Sequence, residues 1–110
     1  MKQHREKRIS SLIQEYLSEF IARNIEPPQD ALMTITNVEV TSDLKTAKIG
    51  ISVLPSEKSK ETLNILENHA GYLQHLLNRK LNIRPMPRIE FRIDKGPEKA
   101  AAIEKKLLEQ

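Results

Sequence analysis

Seven apolar residues, Ile9, Leu12, Ile13, Tyr16, Leu17, Phe20 and Ile21, fall at i, i+3, i+4, i+7, i+8, i+11 and i+12. That spacing places them on one stripe of an α-helix, and such a stripe has to be buried against a second layer. The helix must stop before Pro27-Pro28. A residue that precedes proline leaves the helical region, and proline has no backbone N–H to donate.

The next two segments change period. Met33 to Val40 is rich in Thr, Ile and Val and leads into the turn-like Thr41-Ser42-Asp43. Its apolar parity switches from Met33 and Ile35 to Val38 and Val40, which a β-bulge near Thr36 or Asn37 reconciles with one buried face. Ala47, Ile49, Ile51 and Val53 then alternate with Thr46, Lys48, Gly50 and Ser52. The short connection predicts an antiparallel hairpin, with Asp43 accepting backbone hydrogen bonds in the turn and Leu44 covering the end of the core. Ala47 is small where a helix must approach the sheet.

Pro55 ends the hairpin, and Ser56 or Ser59 is placed to cap a helix. Leu63, Leu66, Ala70, Leu73, Leu77 and Leu81 repeat at helical spacing with Gly71 inside the stripe. Glycine in a helix interior costs about 1 kcal/mol relative to alanine, so a kink at Ala70 and Gly71 between two helices is expected. Pro85 and Pro87 close that stretch. A third strand follows, with Ile89, Phe91 and Ile93 inward and Arg88, Glu90, Arg92 and Asp94 outward. Beyond Gly96-Pro97, Ala101, Ile103 and Leu107 suggest a last, weaker helix.

The expected fold is α+β: a single two-layer domain over residues 1–110, in which a three-stranded sheet carries its helices on one face. Only one sheet face is apolar, so the other meets solvent. Residues 1–4 are expected as a flexible N-terminus and 97–110 as a helical tail. A chain of 110 residues buries about two-thirds of its unfolded surface and needs no staple. The lack of cysteine excludes disulfides and thiolate metal sites. No segment approaches the roughly 20 apolar residues of a membrane span, and Met1 to Arg8 is too charged for a signal peptide. A soluble, cytoplasmic protein without a membrane partner is the expectation.

Eighteen Lys and Arg against fifteen Asp and Glu leave a net charge of +3. The distribution says more than the sum. Arg79, Lys80, Arg84, Arg88, Arg92 and Lys95 face only Glu90 and Asp94, and Lys2, Arg5, Lys7 and Arg8 face only Glu6. Two such concentrations read either as a polyanion surface or as two solvated faces. Catalysis has little to work with. His4, His69 and His75 do not converge, no nucleophile elbow, phosphate loop or dinucleotide fingerprint occurs, and there are three glycines. No enzymatic activity, metal or cofactor is expected.

Helix-strand-strand-helix-helix-strand is the element order of the bacterial-type KH domain, which grips single-stranded nucleic acid with a G-x-x-G loop between its central helices. Here that position reads Asn68-His69-Ala70-Gly71-Tyr72, so the clamp is missing. A more specific likeness lies in Ile35-Thr36-Asn37-Val38-Glu39-Val40-Thr41-Ser42-Asp43-Leu44-Lys45-Thr46-Ala47-Lys48-Ile49. This run resembles the signature of the ribosome-binding factor A family, a valine-rich strand, a Ser-x-Asp-Leu-like turn and an Ala-x-Val strand. Arg5 and Arg8, Gly71-Tyr72-Leu73 and the run from Pro87 to Asp94 agree in the right order, so the resemblance covers roughly residues 5–108. The chain departs from the family at His69, where alanine is usual, and at Gln74, where arginine is frequent. His69 should therefore point outward, and Gln74 is not counted as a phosphate contact.

The resemblance implies a monomeric factor that binds free small (30S) ribosomal subunits late in maturation. It would support processing of the small-subunit ribosomal RNA and leave before translation. Its partners would be that subunit and its RNA, with ribosomal proteins or other assembly factors in addition. The candidate RNA contacts are Arg5, Arg8, Lys45, Lys48, Arg79, Lys80, Arg84, Arg88 and Arg92, because guanidinium forks suit phosphate oxygens and lysines add untargeted attraction. Few aromatic residues are left for stacking, so recognition by backbone and shape is expected. A free-standing single-strand KH module and a protein-protein adaptor with an incidental basic patch stand as alternatives.

Overall fold

The computed structural model describes residues 2–96, with side chains from residue 5 onward. Helix α1 (Lys2–Asn24) is followed by strands β1 (Leu32–Val40) and β2 (Thr46–Leu54) and a 3-10 turn at Ser56–Lys58. Helices α2 (Ser59–Asn68) and α3 (Ala70–Lys80) and strand β3 (Arg88–Ile93) complete the order. Helix α1 begins at Lys2, inside the residues 1–4 expected as a flexible N-terminus. The helix expected in 97–110 lies outside the described residues.

The apolar stripe of α1 is buried where the 3.6-residue period puts it: Ile9, Ile13, Leu17 and Ile21 reach the core, and Ile25 extends it past the helix end. Opposite stand Ala47, Ile49, Ile51 and Val53 of β2, with Leu66 of α2 and Leu73 and Leu77 of α3, in one continuous cluster. Each fully buried Leu or Ile contributes about 1.5–3 kcal/mol relative to exposure. Ala47 is completely buried, as its small size under a helix required.

The sheet has the order β1-β2-β3. β1 and β2 pair antiparallel with a register shift between Ile35 and Asn37, the bulge that the parity switch called for. Because Thr36 is the extra residue, Met33 and Ile35 share the helix-side face with Val38 and Val40. β3 runs parallel to β2, from Thr46 opposite Arg88 to Ile51 opposite Ile93. Parallel pairing needs a long crossover, and α2 and α3 supply it across the apolar face. Ile89 and Phe91 are buried, while Arg88, Glu90 and Arg92 are exposed.

The β1-β2 turn is held by its own side chains. Thr41 N–H donates to Thr46 O at 2.9 Å, Lys45 N–H donates to Asp43 Oδ1 at 3.0 Å, and the Thr41 hydroxyl donates to the same oxygen at 2.6 Å. Leu44 takes a positive φ of 61°, a conformation unfavourable for a bulky residue. Its half-buried side chain packs on the end of the core, which offsets that strain.

Two expectations about α2 are refined. Neither Ser56 nor Ser59 caps it: Ser56 opens the 3-10 turn, Ser59 is already helical, and no side chain bonds the N-terminal amides. Pro55 instead closes the 3-10 turn ahead of α2, its carbonyl accepting Lys58 N–H at 3.0 Å. The break between the helices is present, hinged on His69, with Ala70 opening α3. His69 is exposed, and its Nδ1–H donates to Ile65 O at 2.8 Å. Gly71 has no positive φ, and a Cβ there would meet nothing within 4 Å. The kink thus needs no glycine backbone at Gly71.

Candidate nucleic-acid interface

Folding joins two basic segments that lie far apart in the chain. Arg5 and Arg8, one turn apart on α1, face the loop after α3, and with Arg84 they line an open groove of about 920 Å³. Ile9, Leu12 and Ile83 form its apolar floor, and Asn82 adds an amide. The loop is positioned by Gln74 on α3. Its Nε2 donates to Pro87 O at 3.1 Å, and its Oε1 accepts Ile89 N–H at 2.8 Å. One side-chain amide thus holds the end of the arginine-bearing loop to the helix and starts β3. The sequence offered no signal for this, since the partners are backbone groups thirteen and fifteen residues away.

Electrostatically the groove is one-signed. The described salt bridges are Arg23–Glu19 and Lys58–Glu61, so among the described residues Arg5, Arg8 and Arg84 have no carboxylate partner. The first turn of α1 carries no acid, although the positive end of a helix dipole favours acids over arginines. The dipole adds to the positive field at Arg5, in that first turn. Three guanidinium groups above an apolar floor can hold phosphate oxygens while a ribose or base face rests on Leu12 and Ile83.

The remaining candidates lie elsewhere. Arg79 and Lys80 occupy the last turn of α3, where cations offset the negative dipole end, and Lys80 Nζ sits 5.2 Å from the Tyr16 ring centroid. Lys80 therefore has a partner on α1 already. Arg88 lines a smaller groove with Thr46, Glu67, Ala70 and Glu90, beside Lys45, whose carbonyl accepts Arg88 N–H at 2.9 Å. Lys48, on the open sheet face, stands between Glu39 of β1 and Glu90 of β3, so its field is largely cancelled. Arg92 lies opposite Gly50. Arg84 thus groups with Arg5 and Arg8, while Arg88 and Arg92 belong to a sheet face of mixed sign.

No described helix is long and apolar enough to cross a membrane. Fold and groove together define a small KH-like α+β module with a groove lined by three arginines. The chain belongs to the ribosome-binding factor A family, whose model matches residues 5–107. It is 39% identical over 92 residues to ribosome-binding factor A of Desulforamulus reducens, covering 83% of this chain and 77% of that protein. Ribosome-binding factor A of Caldanaerobacter subterraneus is 37% identical over 109 residues, covering 97% and 89%. The crystal structure of ribosome-binding factor A from Thermus thermophilus superposes with a TM-score of 0.70 at 22% identity, covering 80% of this chain and 94% of that one. A homology model of the Thermus protein, fitted into a cryo-EM map of its 30S complex, gives 0.64 at 24% identity, covering 77% and 90%. The two superpositions show a shared fold.

Proposed function

We propose that this chain binds the free small (30S) ribosomal subunit and assists late maturation and processing of its ribosomal RNA. It acts by binding, as a cytoplasmic monomer, and without a chemical step. The observation that carries the reading is the family match over residues 5–107 together with the unpaired arginines of the groove. A Thermus relative placed in a 30S complex supports the choice of subunit. Arg5, Arg8 and Arg84 meet phosphates first, Arg79, Lys45, Arg88 and Arg92 extend the contact, and Lys48 and Lys80 contribute least because each already faces an internal partner. Binding energy then favours one arrangement of the RNA over its alternatives, as any ligand shifts an ensemble toward the state it prefers.

Gradient sedimentation of extract from cells carrying the tagged full chain tests the reading. Co-migration with free small subunits, absence from polysomes, and accumulation of unprocessed small-subunit RNA in cells lacking the protein are the expected results. Sedimentation at the top of the gradient, or with translating ribosomes, would overturn it.

A further inference from the structure

The two edges of the sheet are guarded differently. β3 carries Arg88, Glu90 and Arg92 among its six residues, the kind of charged edge that resists pairing with another chain. β1, the opposite edge, spans nine residues with Glu39 as its one charge and no lysine or proline. Among the described residues no strand pairs with its outer side.

Beneath that edge α1 leaves space. The seam between α1 and β1 opens, near the start of β1, into an apolar groove of about 350 Å³ with Ile21, Ala22 and Ile25 on one wall and Met33 and Ile35 on the other. Toward the end of β1 the same two elements enclose a polar groove of about 440 Å³, where Glu6 and Glu39 outnumber Lys7. At 100° per residue, the α1 residues that line the polar groove (Glu6, Lys7, Ser10, Ser11 and Gln14) average about 180° from those that line the arginine groove (Arg5, Arg8, Ile9 and Leu12). The seam and the arginine groove therefore occupy opposite sides of one helix.

We propose that the outer edge of β1 docks an extended peptide segment of another protein, which adds as a fourth strand. Main-chain hydrogen bonds to the free edge supply affinity, and alternate side chains entering pockets supply specificity. The helix-side positions of the added strand fall first over the apolar groove and then over the polar one. The segment therefore carries two apolar side chains two residues apart on its helix side and, farther along on its open-face side, a lysine or arginine opposite Glu39. Because the arginine groove stays open on the far side of α1, the chain can hold a polyanion and this peptide together. The inference does not rest on which polyanion occupies that groove.

Two synthetic peptides of alternating valine and threonine, one ending in arginines and its twin in glutamates, are titrated into the 15N-labelled full chain. Shifts confined to β1, Ser18, Ala22 and Ile25 are expected, with slowed exchange of the outer β1 amides and tighter binding of the arginine peptide. Glu39→Lys should reverse the preference between the twins. Ala22→Phe, which fills the apolar groove from an exposed position, should abolish binding by both, and Ser18→Phe is the substitute if that variant does not fold. Absence of binding by either peptide would overturn the proposal, as would shifts on β3 or in the arginine groove. Concentration-dependent dimerisation through β1, read by light scattering, would overturn it in favour of a second copy.

Discussion

Thr36 and Asp94 stand 58 residues apart in the chain, yet the Thr36 hydroxyl donates a hydrogen bond of 2.7 Å to Asp94 Oδ2. Thr36 is the extra residue of the β1 bulge and Asp94 follows β3, so the bond ties both edges of the sheet across its open face. The middle strand must stay low for this, and it does so at Gly50, opposite Asn37 and Arg92. Asp94 Oδ1 also accepts Gly96 N–H at 2.9 Å, and its own N–H donates to Ile51 O at 2.7 Å. The bulge, the glycine and the aspartate form one device.

The hydrogen bond from Thr36, followed by that from Gly96 N–H, holds the Asp94 carboxyl below the ordinary carboxylate range. Asp43 is lowered in the same way, first by Thr41 and then by Lys45 N–H. A folded-state pKa below the unfolded one contributes stability that is complete above the unfolded value of about 3.9 and is lost as pH falls through the folded value. Urea midpoints measured from neutral pH downward should therefore hold until about pH 5 and drop below about pH 4. Replacing both residues, Asp43→Asn and Asp94→Asn, should make that acid decline shallower. An unaltered decline would sink the assignment.

The same substitution at two glycines should have opposite signs. A Cβ at Gly50 would meet Thr36 Oγ1 at 2.7 Å and collide with the Asn37 side chain, so Gly50→Ala is expected to cost about 1–3 kcal/mol. At Gly71 nothing lies within 4 Å and the residue is in a helix. Gly71→Ala should stabilise by roughly 0.5–1 kcal/mol. Thermal unfolding of the two variants checks both signs.

Phe91 is 8% exposed at the centre of β3. Its truncation to alanine should cost about 3–5 kcal/mol, a large part of a typical domain's total stability. An unshifted melting temperature would show that the strand tolerates a cavity there.

Gln74→Leu removes both bonds to Pro87 and Ile89 while keeping the side chain's bulk. Half-buried backbone groups are left unpaired, at a cost of about 1–3 kcal/mol. Amide exchange at Ile89 should speed up, and the end of the loop that carries Arg84 should come loose from α3, so subunit affinity should fall although no charge has changed. Retained affinity with fast exchange at Ile89 would separate the loop from binding.

Replacing Arg5, Arg8 and Arg84 together by glutamine should weaken subunit binding more than the pair Arg88→Gln and Arg92→Gln. If the three arginines meet phosphates, the slope of log affinity against log salt should shrink by about 2–3, since each neutralised phosphate contributes about 0.7–0.9. Thermal stability should stay within about 0.5 kcal/mol. A larger loss in the sheet-face pair would move the contact to the open face.

Much of the architecture was legible in the period of the apolar residues. The stripe from Ile9 to Ile21, the alternation from Ala47 to Val53 and the parity break around Thr36 each reflect a local geometric repeat, and the structure contains all three features. Arg5, Arg8 and Arg84 were legible only as charges, in two separate clusters. Their meeting depends on α1 lying beside the loop after α3, which no local pattern encodes. Nearness in sequence suggests grouping Arg84 with Arg88 and Arg92, but the exposed residues of β3 lie on the open sheet face while Arg84 lines the groove with Arg5 and Arg8.

Periodicity and proline placement were therefore enough to settle which segments become helices and strands and which faces they bury, because burial acts on every residue of an element in register. Long-range pairing decided the rest: β3 running parallel beside β2, Gln74 holding the arginine loop, and Thr36 reaching Asp94 over Gly50. The last two join single polar groups across thirteen to 58 residues. A single hydrogen bond leaves no repeating trace in a sequence, so its partner is identified only once the layers are packed.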